Sequence, residues 1–162
     1  MASAAGAAES PARPNIVVVL ADDLGYGDVQ CLNPQRGKIA TPCIDRLAGQ
    51  GMVFTDAHTT SSVCTPTRYG ILTGRYNWRS RLQNGVLSGY SKPLIAEDRV
   101  TVAGFLKQHG YNTAAIGKWH LGLDLPLTNN QPEEGFNRKN IDWGGRIENG
   151  PIERGFDYFH GI

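Results

Sequence analysis

The run Ile16-Val17-Val18-Val19-Leu20-Ala21 constrains this chain most. It is continuously apolar and mostly β-branched, so it reads as a strand buried on both faces, as in a parallel sheet. Six residues fall far short of the roughly 20 that a membrane-spanning helix needs. A strand buried on both faces commits the chain to covering layers of helix. The composition allows such a core, with 40% hydrophobic and 19% charged residues. The net charge of +1 comes from 16 basic and 15 acidic residues without a like-charge block. That argues against a nucleic-acid partner or an anionic membrane surface. Three cysteines in 162 residues are too few for a disulfide scaffold.

The rest of the chain continues the pattern. Residues 1–13 are rich in Ala and Ser, lack the apolar stretch of about 7–15 residues of a secretory signal, and read as a flexible leader. Residues 14–162 read as the N-terminal part of a larger α/β domain. Thr41-Pro42 predicts a helix start, followed by Ile44, Leu47 and Ala48 at helical spacing and by Gly51 as a stop. Met52-Val53-Phe54 predicts a second strand. Thr65-Pro66 opens another helix, which Gly74 ends. Thr101 caps a helix with Val102, Phe105 and Leu106 inward and Gly110 as terminator, and Thr113–Ile116 predicts a third strand. Strand and helix alternate, which predicts an α/β fold with a mostly parallel sheet. Residues 121–162 differ, with only 13 hydrophobic residues among 42 and ten Gly or Pro, and predict loops. No closing helix or strand is expected there, so the sequence reads as unfinished.

Three groups of residues carry chemistry. Asp22 and Asp23 follow the first strand, and ligands of open parallel sheets gather at the carboxyl ends of strands. Adjacent carboxylates repel unless a cation neutralises them, and oxygen donors suit Ca²⁺ or Mg²⁺. A solvated turn is the alternative. Cys64 falls at or just before a helix start, where the dipole and unpaired N–H groups favour an anion. Arg68, one turn on, can reach an anion held there. A buried Cys beside a structural Arg is the alternative. Lys118 and His120 close the Thr113–Ile116 strand and offer a positive charge and a proton carrier. Singly, each reads as well as a surface amine or a structural imidazole. Together these groups describe a pocket for a phosphate- or sulfate-like group.

Ser62-Val63-Cys64-Thr65-Pro66-Thr67-Arg68-Tyr69-Gly70-Ile71-Leu72-Thr73-Gly74 resembles the first signature of the type I, formylglycine-dependent sulfatases. Gly110-Tyr111-Asn112-Thr113-Ala114-Ala115-Ile116-Gly117-Lys118-Trp119-His120 resembles their second. Pro14–Gly25, Thr41–Ala48 and Arg154–Phe159 are similar to other stretches of these arylsulfatase-like proteins. The resemblance implies an alkaline-phosphatase-like α/β fold, a mostly parallel sheet flanked by helices. It implies a sulfuric ester hydrolase in which a separate maturing enzyme oxidises Cys64 to Cα-formylglycine. The hydrated aldehyde attacks sulfur through one hydroxyl, and collapse of the second expels sulfate. Pro66 and Arg68 belong to the motif for that oxidation, and Arg68 would also stabilise the hydrate. Asp22, Asp23 and the residue derived from Cys64 would bind Ca²⁺, with Mg²⁺ less suited. Lys118 would hold the hydrate and the sulfate, and His120 would assist deprotonation of the second hydroxyl. Aryl or carbohydrate sulfate esters are the implied substrates, and an exported location (periplasmic, secreted or lysosomal) is the family habit.

The sequence also departs from the family. Cys43 stands where an Asn is usual and reads as a buried inert thiol in the first turn of its helix. A Cys31–Cys43 disulfide is left open. A further Asp-Asn or Asp-Gln pair on the metal, a second Lys and a proton-donating second His have no match here. His58, His109 and His160 lie outside the motifs and read as structural or surface residues. Residues 124–151 read as a variable loop. The alternatives are a phosphonate or phosphate monoester hydrolase of the same superfamily, and a truncated fragment without turnover.

Overall fold

The computed structural model describes residues 13–128 and 140–162. The expected leader lies outside the described residues except for Arg13, as does the middle of the expected variable loop. The chain divides into two units, residues 1–53 and 54–162.

In the first unit the Ile16–Ala21 run forms no strand. Val17 and Val19 are 83% and 87% exposed. The expectation of a strand buried on both faces is therefore corrected. A parallel strand needs a neighbour for its N–H and C=O groups, and none of the described residues forms a ladder with this run. Met52-Val53-Phe54 is likewise exposed and not a strand. Helix α1 spans Pro42–Gln50, with Pro in its first turn and Gly51 closing it. Thr41 does not cap it through its hydroxyl. That hydroxyl instead accepts from the Gln30 amide at 2.9 Å and donates to Asp45 at 2.8 Å. Asp45 also accepts from the Cys31 amide at 3.0 Å, and the Thr41 bond holds its carboxyl below the ordinary value. Cys31 and Cys43 are both free and exposed, so no disulfide joins them and Cys43 is not the buried thiol expected. The first turn of α1 turns that side chain to solvent.

In the second unit helix α2 spans Cys64–Thr73. Gly74 closes it in the left-handed region, at φ 65°, and its N–H reaches the Gly70 carbonyl. A residue with a Cβ is strained there. The core is Tyr69, Leu87, Leu94, Ile95, Trp119 and Leu121, with Phe156 and Phe159 packed against it. Helix α3 spans Val102–Gln108, and Thr101 caps it by accepting from the Gly104 amide at 3.0 Å. Its inward face differs from the expected one. Ala103 is buried, whereas Val102 and Phe105 are exposed. The reason is close backbone packing: a Cβ on Gly155 would lie 2.3 Å from the Gly104 nitrogen. Only the small-residue side of α3 fits that approach.

Strand β1, Ala114–Gly117, follows α3 as expected, shifted by one residue. It pairs in parallel with β2, Tyr158–Gly161, in the register Ala114 opposite Tyr158 through Gly117 opposite Gly161. Strand β2 lies in the segment expected to be all loop, and that expectation is corrected. Tyr158 and Phe159 are good strand formers, and their short run was hidden by its Gly-rich surroundings. The pair is locked at one end by Asp157. Its carboxylate accepts from the Thr113 amide at 2.9 Å and the Thr113 hydroxyl at 3.0 Å. It also pairs with Lys107 at 2.6 Å. The Lys107 bond first, then the two Thr113 bonds, lower its pKa to about 2. A depressed carboxylate stabilises the fold above its unfolded pKa, and the contribution is lost as pH falls through the folded value. Asp157→Asn is expected to destabilise the protein at neutral pH. The difference from wild type should shrink as pH falls below about 4 and disappear only once pH has fallen through about 2, as read by denaturant titrations across that range.

Candidate active site

Helix α2 begins at Cys64, with Val63 before it in extended conformation. Cys64 is a free, half-buried thiol in the first turn. The helix has no preceding side-chain cap, so the N–H groups of its first turn face this end. One turn on, Arg68 Nη1 donates to the Lys118 carbonyl at 2.5 Å. The guanidinium therefore grips the main chain of the second motif besides lying one turn from Cys64. Lys118 is exposed and follows β1 directly.

Trp119 anchors that motif. It is 6% exposed, and its Nε1 donates to the Gly122 carbonyl at 3.0 Å. Its amide donates to the Ile162 carbonyl at 2.7 Å, and its ring meets Phe156 edge-on at 6.4 Å. Gly122 has φ 79°, and a Cβ there would lie 2.2 Å from the Lys92 carbonyl, so the turn after Trp119 needs glycine.

His120 is half-buried and holds a left-handed backbone, φ 52°. Its Nε2 lies 2.6 Å from the Leu87 carbonyl. A carbonyl only accepts, so Nε2 carries the proton. Nδ1 is buried with no hydrogen-bond partner among the described residues. The neutral ring thus keeps a lone pair on Nδ1. Thr65, fully buried, donates to the His120 carbonyl at 3.1 Å and accepts from the Leu87 amide at 3.2 Å. Thr65 and Leu87 were not legible as site residues. A helix-start threonine ordinarily reads as a cap, and Leu87 contributes through its main chain alone.

The structure thus joins Arg68, Lys118 and His120 to the helix that Cys64 begins. Asp22 and Asp23 belong to the first unit, where both are exposed and Asp23 has φ 66°. Their carboxylates are oxygen donors suited to a hard cation, and two residues supply only part of the about six to eight oxygens that Ca²⁺ takes. Among the described residues no group of three or more His, Cys, Asp or Glu gathers to hold a metal. His58, His109 and His160 are exposed.

A helix whose first residue is a cysteine is bound through its arginine to a Lys-Trp-His turn at the end of a parallel strand, in an α/β arrangement. The sulfatase family model matches residues 14–161, and the chain belongs to that family. It is 44% identical over 146 residues to N-acetylgalactosamine-6-O-sulfatase of Bacteroides thetaiotaomicron, covering 90% of this chain and 26% of that protein. It is 43% identical over 125 residues to human arylsulfatase A, covering 77% of this chain and 24% of that protein. A solved structure from a Bacteroides thetaiotaomicron locus for metabolism of multiple glycosaminoglycans superposes with TM-score 0.77 at 43% identity. That match covers 93% of this chain and 28% of the other. The crystal structure of Ps i-CgsB gives a TM-score of 0.71 at 31% identity, covering 93% and 28%. The chain spans about a quarter of the length of the curated relatives it matches.

Trp119→Ala is expected to cost about 3–5 kcal/mol of stability, the usual loss for a buried large aromatic side chain. Urea unfolding measures it, and an effect below about 1 kcal/mol would contradict the anchoring role.

Proposed function

We propose that this chain carries the nucleophile of a sulfuric ester hydrolase acting on aryl or carbohydrate sulfate monoesters. The observation that carries the reading is the Cys64 helix start held by Arg68 to the turn that presents Lys118 and His120. The relatives' names, all sulfatases, favour sulfate over phosphate or phosphonate esters. In this reading a maturing enzyme converts Cys64 to formylglycine, whose hydrate supplies two hydroxyls, one to attack sulfur and one to release sulfate.

The chain's own residues then act as follows. The α2 N-terminus offers N–H groups to the anionic ester. Arg68 fixes the Lys118 main chain and adds positive charge at the helix start. Lys118 brings a second positive charge to the sulfate oxygens. His120 Nδ1 holds the lone pair that accepts a hydroxyl proton. Asp22 and Asp23 would hold part of the shell of a Ca²⁺ ion, which when bound withdraws charge from the ester oxygens. The family's exported habit is proposed for this protein too. Among the described residues no helix is long and apolar enough to cross a membrane.

Mass spectrometry of the Cys64 peptide, from a host carrying a formylglycine-generating enzyme, tests the reading. A mass deficit matching formylglycine is expected, and an unmodified thiol in every molecule overturns it. The 162-residue chain is itself expected to hydrolyse an activated aryl sulfate with Ca²⁺ slowly or not at all. The described residues gather no fuller metal shell, and the resemblance implies a proton-donating His that has no match here. Lack of a general acid alone typically costs about 10²–10⁴ in rate. Turnover at a rate normal for sulfatases would contradict this expectation.

A further inference from the structure

We infer that Thr65 is a positioning residue that fixes the proton of His120 on Nε2, which leaves the lone pair on the buried Nδ1. This deepens the sulfatase reading and rests on it for the role of His120. A neutral ring has one N–H, and either nitrogen can carry it. The Leu87 carbonyl, 2.6 Å from Nε2, selects the Nε2–H form. That selection lasts only if the carbonyl and the ring stay in register, and nothing in the sequence separation of His120 and Leu87 ensures it.

One hydroxyl holds both sides. Thr65 Oγ1 accepts from the Leu87 amide at 3.2 Å and donates to the His120 carbonyl at 3.1 Å. A hydroxyl has one donor and two acceptor sites, so both bonds form together. The three residues close a ring: Thr65 to His120, His120 to Leu87, Leu87 back to Thr65. Thr65 is 0% exposed, so water does not replace it. Its place in α2, next to Cys64, ties the ring to the helix end that carries the nucleophile. The left-handed His120 backbone, φ 52°, is a conformation that non-glycine residues rarely hold without support. The bond to its carbonyl supplies that support.

Valine matches threonine in shape but makes neither bond, and leaves the Leu87 N–H and the His120 carbonyl without Thr65. Serine keeps both. The test is a long-range ¹H–¹⁵N correlation spectrum of the ¹⁵N-histidine-labelled 162-residue chain at about pH 8, where an ordinary imidazole is neutral. The His120 signals are assigned by their loss in His120→Asn. Wild type and Thr65→Ser are expected to show a single Nε2–H form, with Nδ1 unprotonated. Thr65→Val is expected to show exchange-averaged nitrogens, the two forms interconverting. If the valine variant does not fold by circular dichroism, the same comparison is made with Thr65→Ala. An averaged or Nδ1–H wild-type ring overturns the proposal. So does a folded hydroxyl-free variant that keeps the single Nε2–H form, or a folded serine variant that loses it. The sulfatase reading stands or falls separately, on the mass of the Cys64 peptide.

Discussion

The burial of Trp119 is the constraint on which the second unit depends. The indole belongs to a core shared with Tyr69, Leu87, Leu94, Ile95 and Leu121. These neighbours come from α2, from the loop before α3, and from the turn after β1, so one ring ties together segments distant in sequence. Full burial of such a side chain contributes on the order of 1.5–3 kcal/mol or more by transfer from water. Its Nε1–H is satisfied at Gly122 and does not offset that gain. Lys118 and His120 flank it directly. A core residue between two polar ones fixes where both begin, and their main-chain positions follow from packing.

Helix α2 adds a second kind of constraint. Its buried residues are Thr65, Pro66, Thr67, Tyr69 and Gly70, so the hidden face is largely polar or small. Both buried threonine hydroxyls have partners: Thr65 at His120 and Leu87, Thr67 at the Ser61 carbonyl at 2.7 Å. A buried hydroxyl without partners costs more than a satisfied one contributes. The arrangement therefore permits few alternatives for the chain around Ser61, Leu87 and His120. A purely apolar helix face could slide or rotate, and this one cannot without breaking several bonds at once. That orientational precision suits a helix whose first residue is the proposed nucleophile.

The sequence made parts of this legible for physical reasons that can be named. The Thr101 cap and the Gly74 stop are local chemistry, and both occur as read. Cys64 at a helix start followed from Thr65-Pro66, and the end of β1 beside Lys118 followed from the short Thr113–Ile116 run. What failed depended on distant partners. The Ile16–Ala21 run has every local property of a buried strand, but a strand is a relation between segments, and no described segment pairs with it. Strand β2 shows the converse, since Tyr158–Gly161 lies in a stretch poor in hydrophobic residues and rich in Gly and Pro, and β1 makes it a strand by pairing with it. The inward face of α3 was misread because backbone proximity at Gly155 outweighed the size of Phe105. In the site, residue types were legible and the hydrogen bonds were not: nothing local reveals that Arg68 holds the Lys118 carbonyl or that Leu87 holds His120.

The left-handed backbone of His120 links these observations. A non-glycine residue at φ 52° stores on the order of 1–3 kcal/mol of strain, and surrounding interactions must over-determine it. Here they do so from both sides along the chain. Upstream, Trp119 is locked in the core and its amide is held by Ile162. Downstream, Leu121 is 1% exposed and its carbonyl accepts from the Leu94 amide at 2.8 Å. With residues 119 and 121 both buried, the chain between them has little freedom, and the left-handed turn brings the imidazole to the Leu87 carbonyl. The strain is thus the local consequence of placing a polar, proton-carrying side chain between two core residues. Packing stabilises the turn, and the turn sets the histidine.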